Sequence, residues 1–311
     1  MKILGTGLEG LVGSRIVELL KDKYEFDPSE VDITDRNKLI NRIKNCDAPI
    51  VLHLAAKTSV DGCEKDREQD IKILRYKDIK KREEEWYANK TAWGANVFGT
   101  KNIIDACQKS SKKLIYISTD FVFDGKKETY SEEDIPNPIN WYGKTKYEGE
   151  KIVQQLSIPW IIARIAYPYR ANFIKKDFVR GLIDKFQNKE NLQMVSDHIM
   201  TPSFIDDIAY ALHALIKNNS TGIFHVVGSE FVSPYEVAIK IAKVFGFPKN
   251  NIRKTTRSDF FRNRAPRPFQ LALRNDKIKS LGVKMRGFEE GLKEVKSQRS
   301  KFKIASKKSK V

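Results

Sequence analysis

The chain opens Met1-Lys2-Ile3-Leu4-Gly5-Thr6-Gly7-Leu8-Glu9-Gly10-Leu11-Val12-Gly13. A short apolar strand (Ile3, Leu4) runs into three glycines at every third position, Gly7, Gly10 and Gly13. A helical pattern then begins at Leu11, Val12, Ile16, Leu19 and Leu20. Glycines at these places let the backbone turn tightly and approach a pyrophosphate, whose charge sits on the helix N-terminus. Asp27 lies 20 residues after Gly7, just past a second short strand (Tyr24 to Phe26). At that distance an acidic residue reaches ribose hydroxyls. The alternative for Asp27 is a turn residue beside Pro28.

Outward from this stretch, strand and helix alternate, the signature of a parallel sheet. Strands are expected at 2–5, 23–26, 49–54, 113–118, 159–164 and 222–227, and helices at 11–22, 36–45, 89–110, 141–156, 207–217 and 234–245. The fold class expected is α/β, a Rossmann-type doubly wound parallel sheet with a smaller C-terminal substrate-binding lobe. The dinucleotide-binding domain would span 1–165, with the chain returning to it around 203–227, and the lobe would be mainly 166–290. Residues 172–191 read as irregular. The nearly wholly charged segment 64–88 reads as an exposed helical insertion with a solvated face.

Ser118-Thr119-Asp120 stands at the end of an expected strand, and Tyr142-Gly143-Lys144-Thr145-Lys146 opens an expected helix. Tyr142 and Lys146, four residues apart, share one helical face. A phenol of pKa about 10 exchanges protons poorly at neutral pH. An ammonium one turn away favours the phenolate and pulls that pKa toward the working range. Thr119 could then hold a carbonyl oxygen against Tyr142. This is the acid half of a carbonyl reduction.

Composition constrains the rest. The 311 residues suffice for one large α/β domain with a smaller lobe. No run of 18 apolar residues suggests a membrane span, and Met1 leads directly into a strand, with no signal peptide. Cys46, Cys63 and Cys107 are unclustered and odd in number, which argues against a disulfide framework or zinc site and suits a cytoplasmic protein. The four histidines form no metal constellation, and His53, inside an apolar strand, reads as a core residue. The net charge of +17 raises nucleic acid as a rival partner, but no recognition motif or basic-aromatic stripe supports it. Part of the charge lies in residues 291–311, a basic tail expected to be disordered and dispensable.

Together these residues resemble the extended short-chain dehydrogenase/reductase family and, within it, the dTDP-4-dehydrorhamnose reductases, over about residues 1–290. The resemblance is carried by Gly7-x-x-Gly10-x-x-Gly13, Val31-Asp32-Ile33-Thr34-Asp35, Leu52 to Glu64, Asn96-Val97-Phe98-Gly99-Thr100, Ser118-Thr119-Asp120-Phe121-Val122-Phe123-Asp124-Gly125, Tyr142-x-x-x-Lys146 and Arg264-Ala265-Pro266-Arg267-Pro268. It implies an NAD(P)H-dependent reduction of the 4-keto group of a nucleotide-linked 6-deoxy sugar. Thr119, Tyr142 and Lys146 would be catalytic. Gly10, Leu11 and Val12 would meet the pyrophosphate, with Asp32 and Ile33 near the adenine. Ala55, Ala56 and Lys57 would flank the middle of the cofactor, and Lys146 would also touch the nicotinamide ribose. Thr119, Asp120 and Tyr167 would face the sugar. A homodimer is a further expectation. Asp27 at the ribose would make NADH at least as good as NADPH. Two alternatives share the fold: a non-catalytic regulatory subunit of the methionine adenosyltransferase type, and a nucleotide-sugar epimerase or dehydratase that recycles its cofactor.

Overall fold

The structure, a computed structural model, describes residues 1–308, with side chains through Lys301. In chain order the first half holds β1 (Lys2–Thr6), α1 (Gly13–Leu20), β2 (Glu25–Ser29), α2 (Arg36–Lys44), β3 (Ile50–His53), α3 (Val60–Leu74), α4 (Ile79–Asn89), α5 (Thr100–Ser110), β4 (Lys113–Thr119) and α6 (Trp141–Val153). The second half holds β5 (Trp160–Ile165), β6 (Pro168–Tyr169), α7 (Phe178–Gln187), β7 (Leu192–Val195), β8 (Ser203–Phe204), α8 (Ile205–Lys217), β9 (Gly222–His225), α9 (Pro234–Phe245), β10 (Ile252–Thr255), α10 (Arg257–Phe260), α11 (Asp276–Lys279) and α12 (Phe288–Lys308).

Six strands form one sheet in the order β2-β1-β3-β4-β5-β9, every pair parallel. A parallel sheet is apolar on both faces because helices cover both. On one face Ile3, Leu52, Ile115 and Ile161 pack under α1 and α8. On the other, Leu4, Val51, Leu114 and Ile162 pack under α2 and α5. This is the doubly wound arrangement the alternating pattern predicts. Pro28 is tolerated inside β2 because β2 lies at the edge of the sheet. A separate apolar core forms the smaller lobe, gathering Val179, Leu182 and Ile183 of α7, Ile241 of α9 and Leu292 of α12.

Three expectations change. Residues 172–191 are not irregular throughout: within them Val179, Leu182, Ile183 and Phe186 recur at helical spacing and bury one face of α7. The 64–88 insertion is helical but only partly solvated. Ser59 and Asp78 cap α3 and α4, accepting from Gly62 N at 3.1 Å and Lys80 N at 2.9 Å. Asp70, Ile73 and Trp86 are buried. The Asp70 carboxylate accepts from Trp141 Nε1 (2.8 Å) and Trp93 N (3.0 Å), and Glu64 accepts from Trp141 N (2.8 Å). The insertion therefore braces the start of α6.

The third change concerns the tail. Helix α12 continues through Lys308, and residues 309–311 lie outside the described residues. Phe288, Leu292 and Val295 are fully buried at i, i+4 and i+7. Gln298 donates to Asp206 Oδ2 at 2.9 Å. Tertiary packing, which charge and composition do not report, holds the segment through Gln298. Truncation after Glu294 removes Val295, whose burial alone is worth about 1.5–3 kcal/mol. The truncated chain is expected to melt several degrees lower by circular dichroism; an unchanged melting temperature would refute this packing role.

Candidate functional site

Beyond the carboxyl ends of the strands lies a crevice of about 790 Å³, where an open parallel sheet binds its ligands. The register of the strands builds it. Thr6 lies level with Ser29 of β2 and His53 of β3, so the chain leaves all three strands at one height. Gly7 then turns with φ +69°, and a Cβ there would lie 2.9 Å from Ala55 N. A Cβ on Gly13 would lie 2.5 Å from Gly7 O and 2.7 Å from Leu8 Cα. Only glycine permits this contact between the turn and α1, and the cradle fits a dinucleotide pyrophosphate at the helix N-terminus. Beneath it His53 is buried and bonded to Thr6 and Thr100 (2.7 and 3.1 Å); burial lowers its pKa to about 3. It is a neutral core residue.

Gly7, Gly10, Leu11, Val12 and Gly13 line the crevice, with Ala55 and Ala56 beside them. Thr119, Asp120, Tyr142, Lys146 and Tyr167 line its other end. Residues far apart in sequence thus share one cavity. Asn140 caps α6, accepting from Gly143 N at 2.8 Å, and Tyr142 and Lys146 face the crevice from the first turns. A Cβ on Gly143 would sit 2.0 Å from Phe121 O, so the helix lies directly against the chain leaving β4.

Four predicted cofactor residues are not brought to the lining. Asp27 lies in mid-strand, with its carboxylate paired to Arg42 and accepting from Cys46 Sγ at 3.2 Å. The strand runs on through Ser29, so spacing alone placed this acid too near the sheet end. Asp32 pairs with Lys90, and Ile33 is buried against Gly99. Lys57 turns its ammonium to Asp66 (2.6 Å) and the Lys90 carbonyl (3.3 Å), while its backbone N–H donates to Asn96 (2.8 Å).

The electrostatics of the Tyr142 end of the crevice also differ from expectation. Burial pushes the Tyr142 phenol up, with the Thr119 hydroxyl opposing. Burial pulls Lys146 down to about 7, with Glu150 opposing. The Lys146 ammonium donates to the Ile117 carbonyl at 2.8 Å and lies 4.0 Å over the Tyr116 ring. Desolvation therefore governs both groups, and the phenol stays raised although a lysine lies one turn away. Asp120 is pushed up to about 7 by burial, against the hydrogen bond from Thr119 Oγ1 at 2.9 Å. Its Oδ2 and the Ser118 hydroxyl are buried without a partner. Both atoms are free to bond a polar group entering the crevice.

Ser118, at a strand end beside Thr119, joins the lining, and sequence reasoning missed Phe173, Lys175, Lys176 and Phe178 there. Those four come from the lobe loop and the first residue of α7, which no motif marks. Among the described residues there is no metal-ligating cluster of three or more groups. No described helix is long and apolar enough to cross a membrane.

A glycine turn under a parallel sheet, with a Tyr-x-x-x-Lys helix across the crevice, defines a nicotinamide-dependent oxidoreductase of the short-chain type. The chain belongs to the RmlD substrate binding domain family, whose model matches residues 1–75 and 75–300. It is 30% identical over 252 residues to the dTDP-4-dehydrorhamnose reductase of Aggregatibacter actinomycetemcomitans, covering 77% of this chain and 78% of that one. The methionine adenosyltransferase 2 subunit beta of Bos taurus is 28% identical, over 94% of this chain and 86% of its own. The crystal structure of the Bacillus anthracis dTDP-4-dehydrorhamnose reductase in complex with NADP superposes with a TM-score of 0.83 at 28% identity, covering 96% of this chain and 99% of that one.

Proposed function

We propose that the protein reduces the 4-keto group of a nucleotide-linked 6-deoxy sugar, with Tyr142 as proton donor. The observation that carries this is the meeting of Thr119, Tyr142 and Lys146 with the Gly7–Gly13 cradle in one crevice. A bound nicotinamide cofactor supplies the hydride. Tyr142, protonated because burial raises its pKa, gives its proton to the carbonyl oxygen. Lys146 stabilises the phenolate left behind by its positive charge one turn away. Thr119 holds the same oxygen, once its own proton is no longer committed to Asp120. Gly10, Leu11 and Val12 seat the pyrophosphate at the start of α1. Asp120 and Tyr167 meet the sugar.

Asp32 and Ile33, for the adenine, follow β2, and Lys57, for the middle of the cofactor, follows β3, all at the sheet's carboxyl edge and outside the crevice lining. The ground for preferring NADH is gone with Asp27. The Lys90–Asp32 pair places a cation beside the remaining acid, which suits a site that takes either dinucleotide. Purified protein should oxidise NADPH or NADH only when given a dTDP-4-keto-6-deoxy sugar, and turnover with no such dependence would refute the reading.

The pH dependence has a definite sign. Lys146 is cationic below about 7 and loses its charge above it. Asp120 is protonated below about 7 and, once ionised, holds the Thr119 proton. Both changes disfavour proton donation, so kcat at saturating sugar is expected to fall as pH rises through 7. A rise through that range, in a stopped-time rate profile, would overturn these roles.

The second reading, a regulatory subunit, is favoured by the similarity to the methionine adenosyltransferase subunit beta. The intact catalytic trio supports reduction over it. Stable co-purification with a methionine adenosyltransferase catalytic chain, without turnover of any keto-sugar, would reverse the order.

A further inference from the structure

Tyr167 leaves β5 at the crevice with φ +39°, a left-handed backbone conformation that an aromatic residue rarely holds. Such strain persists where neighbours over-determine it, and it clusters at functional sites. Here the neighbour is His198, a buried residue that no sequence motif singled out. The Tyr167 hydroxyl lies 3.0 Å from His198 Nε2, and His198 Nδ1 lies 2.6 Å from the Pro268 carbonyl oxygen. A carbonyl only accepts, so Nδ1 carries the ring proton and donates it. Burial, with Arg257 and Arg267 adding to it, lowers the imidazole to about 4, so the ring is neutral. Nε2 is then an acceptor and takes the single proton of the Tyr167 hydroxyl.

The far anchor is rigid as well. A Cβ on Gly125 would lie 2.7 Å from Pro268 Cβ and 2.6 Å from Phe269 N, so the Ser118–Gly125 run packs directly on the anchor. Arg267 is fastened to Asp61 at 2.9 Å, and Arg257 donates to the Arg267 carbonyl.

We propose that His198 is a positioning residue that fixes Tyr167 as a hydrogen-bond acceptor toward the crevice, so that the site selects a sugar presenting a hydroxyl there. A sugar offering only a carbonyl or ether oxygen at that point would meet lone pairs on both sides. The inference rests on the nucleotide-sugar reading of the crevice and adds to it the polarity of one contact.

Calorimetric titration tests it, using a dTDP-linked 6-deoxyhexose with free hydroxyls in the presence of saturating NADP+. NADP+ affinity alone is measured in parallel as a check on the fold. Tyr167→Phe and His198→Leu are each expected to weaken sugar binding about tenfold, the loss of one good hydrogen bond, with NADP+ affinity unchanged. The double variant should be no worse than either single one. His198→Gln, whose amide can donate to Pro268 O while its oxygen accepts from Tyr167, should bind within about threefold of the parent. Equal sugar affinity in the parent and His198→Leu overturns the inference, as does an equal loss in His198→Gln and His198→Leu. A His198→Leu loss that extends to NADP+ also overturns it, assigning the residue a general structural role. No binding of the dTDP-sugar by the parent protein overturns the function reading, and this inference with it.

Discussion

Tyr142→Phe is expected to lower kcat for keto-sugar reduction by about 10²–10⁴-fold, the range over which a positioned general acid contributes. The change removes only the hydroxyl. The ring keeps its edge-on contact with Phe121, at 5.9 Å between centroids, and its place in the apolar cluster with Val122 and Phe123. The helix carrying it is capped by Asn140 and braced by Glu64 and Asp70, none of which touches the phenol oxygen. Cofactor affinity and melting temperature should therefore stay close to those of the parent. Full activity in this variant would remove Tyr142 from the chemistry.

Gly13→Ala should have the largest effect on cofactor binding. The added Cβ would lie 2.5 Å from Gly7 O and 2.7 Å from Leu8 Cα, both backbone atoms, so the turn itself must shift. Overpacking of this kind costs about 1–3 kcal/mol, which corresponds to about a 5- to 150-fold loss of NADPH affinity if the strain falls on the bound turn. Gly10→Ala meets only Gly7 O, at 3.2 Å, and should be milder. Fluorescence titration with NADPH ranks the two; a stronger effect at Gly10 would contradict the geometry of the cradle.

The residues that carried the sequence reading are those whose local rule and tertiary place agree. Gly7 and Gly13 are required by a turn, and the turn lines the crevice. Tyr142 and Lys146 share a helical face by spacing alone, and that face meets the crevice. Asp27 failed because a count of residues says nothing about where a strand ends. Here β2 continues two residues beyond it, and Arg42 of α2 claims the carboxylate. The tail failed for a different reason. Its lysines dominated the composition, while Leu292 and Val295 at its start continue from Phe288 the helical stripe that packs on the lobe.

His198 and the Lys175–Lys176 loop were illegible, because their place in the site comes from long-range packing of the lobe against the sheet. The pKa ordering was also beyond the sequence. Adjacency of Tyr142 and Lys146 suggested a lowered phenol, but burial of both groups decides the direction. The charged insertion shows the same limit. Its acidic residues read as a solvated face, yet Asp70 and Glu64 hold the indole and backbone of Trp141 at the start of α6.

The most direct test of reduction is isotopic. The parent protein would be given a dTDP-4-keto-6-deoxy sugar and nicotinamide cofactor deuterated at the transferable position. The account predicts one deuterium at C4 of the sugar for each cofactor oxidised, and loss of that transfer in Tyr142→Phe. Sugar converted with no net oxidation of cofactor would assign the crevice to an epimerase or dehydratase, and no conversion at all would contradict the claim that this site performs a reduction.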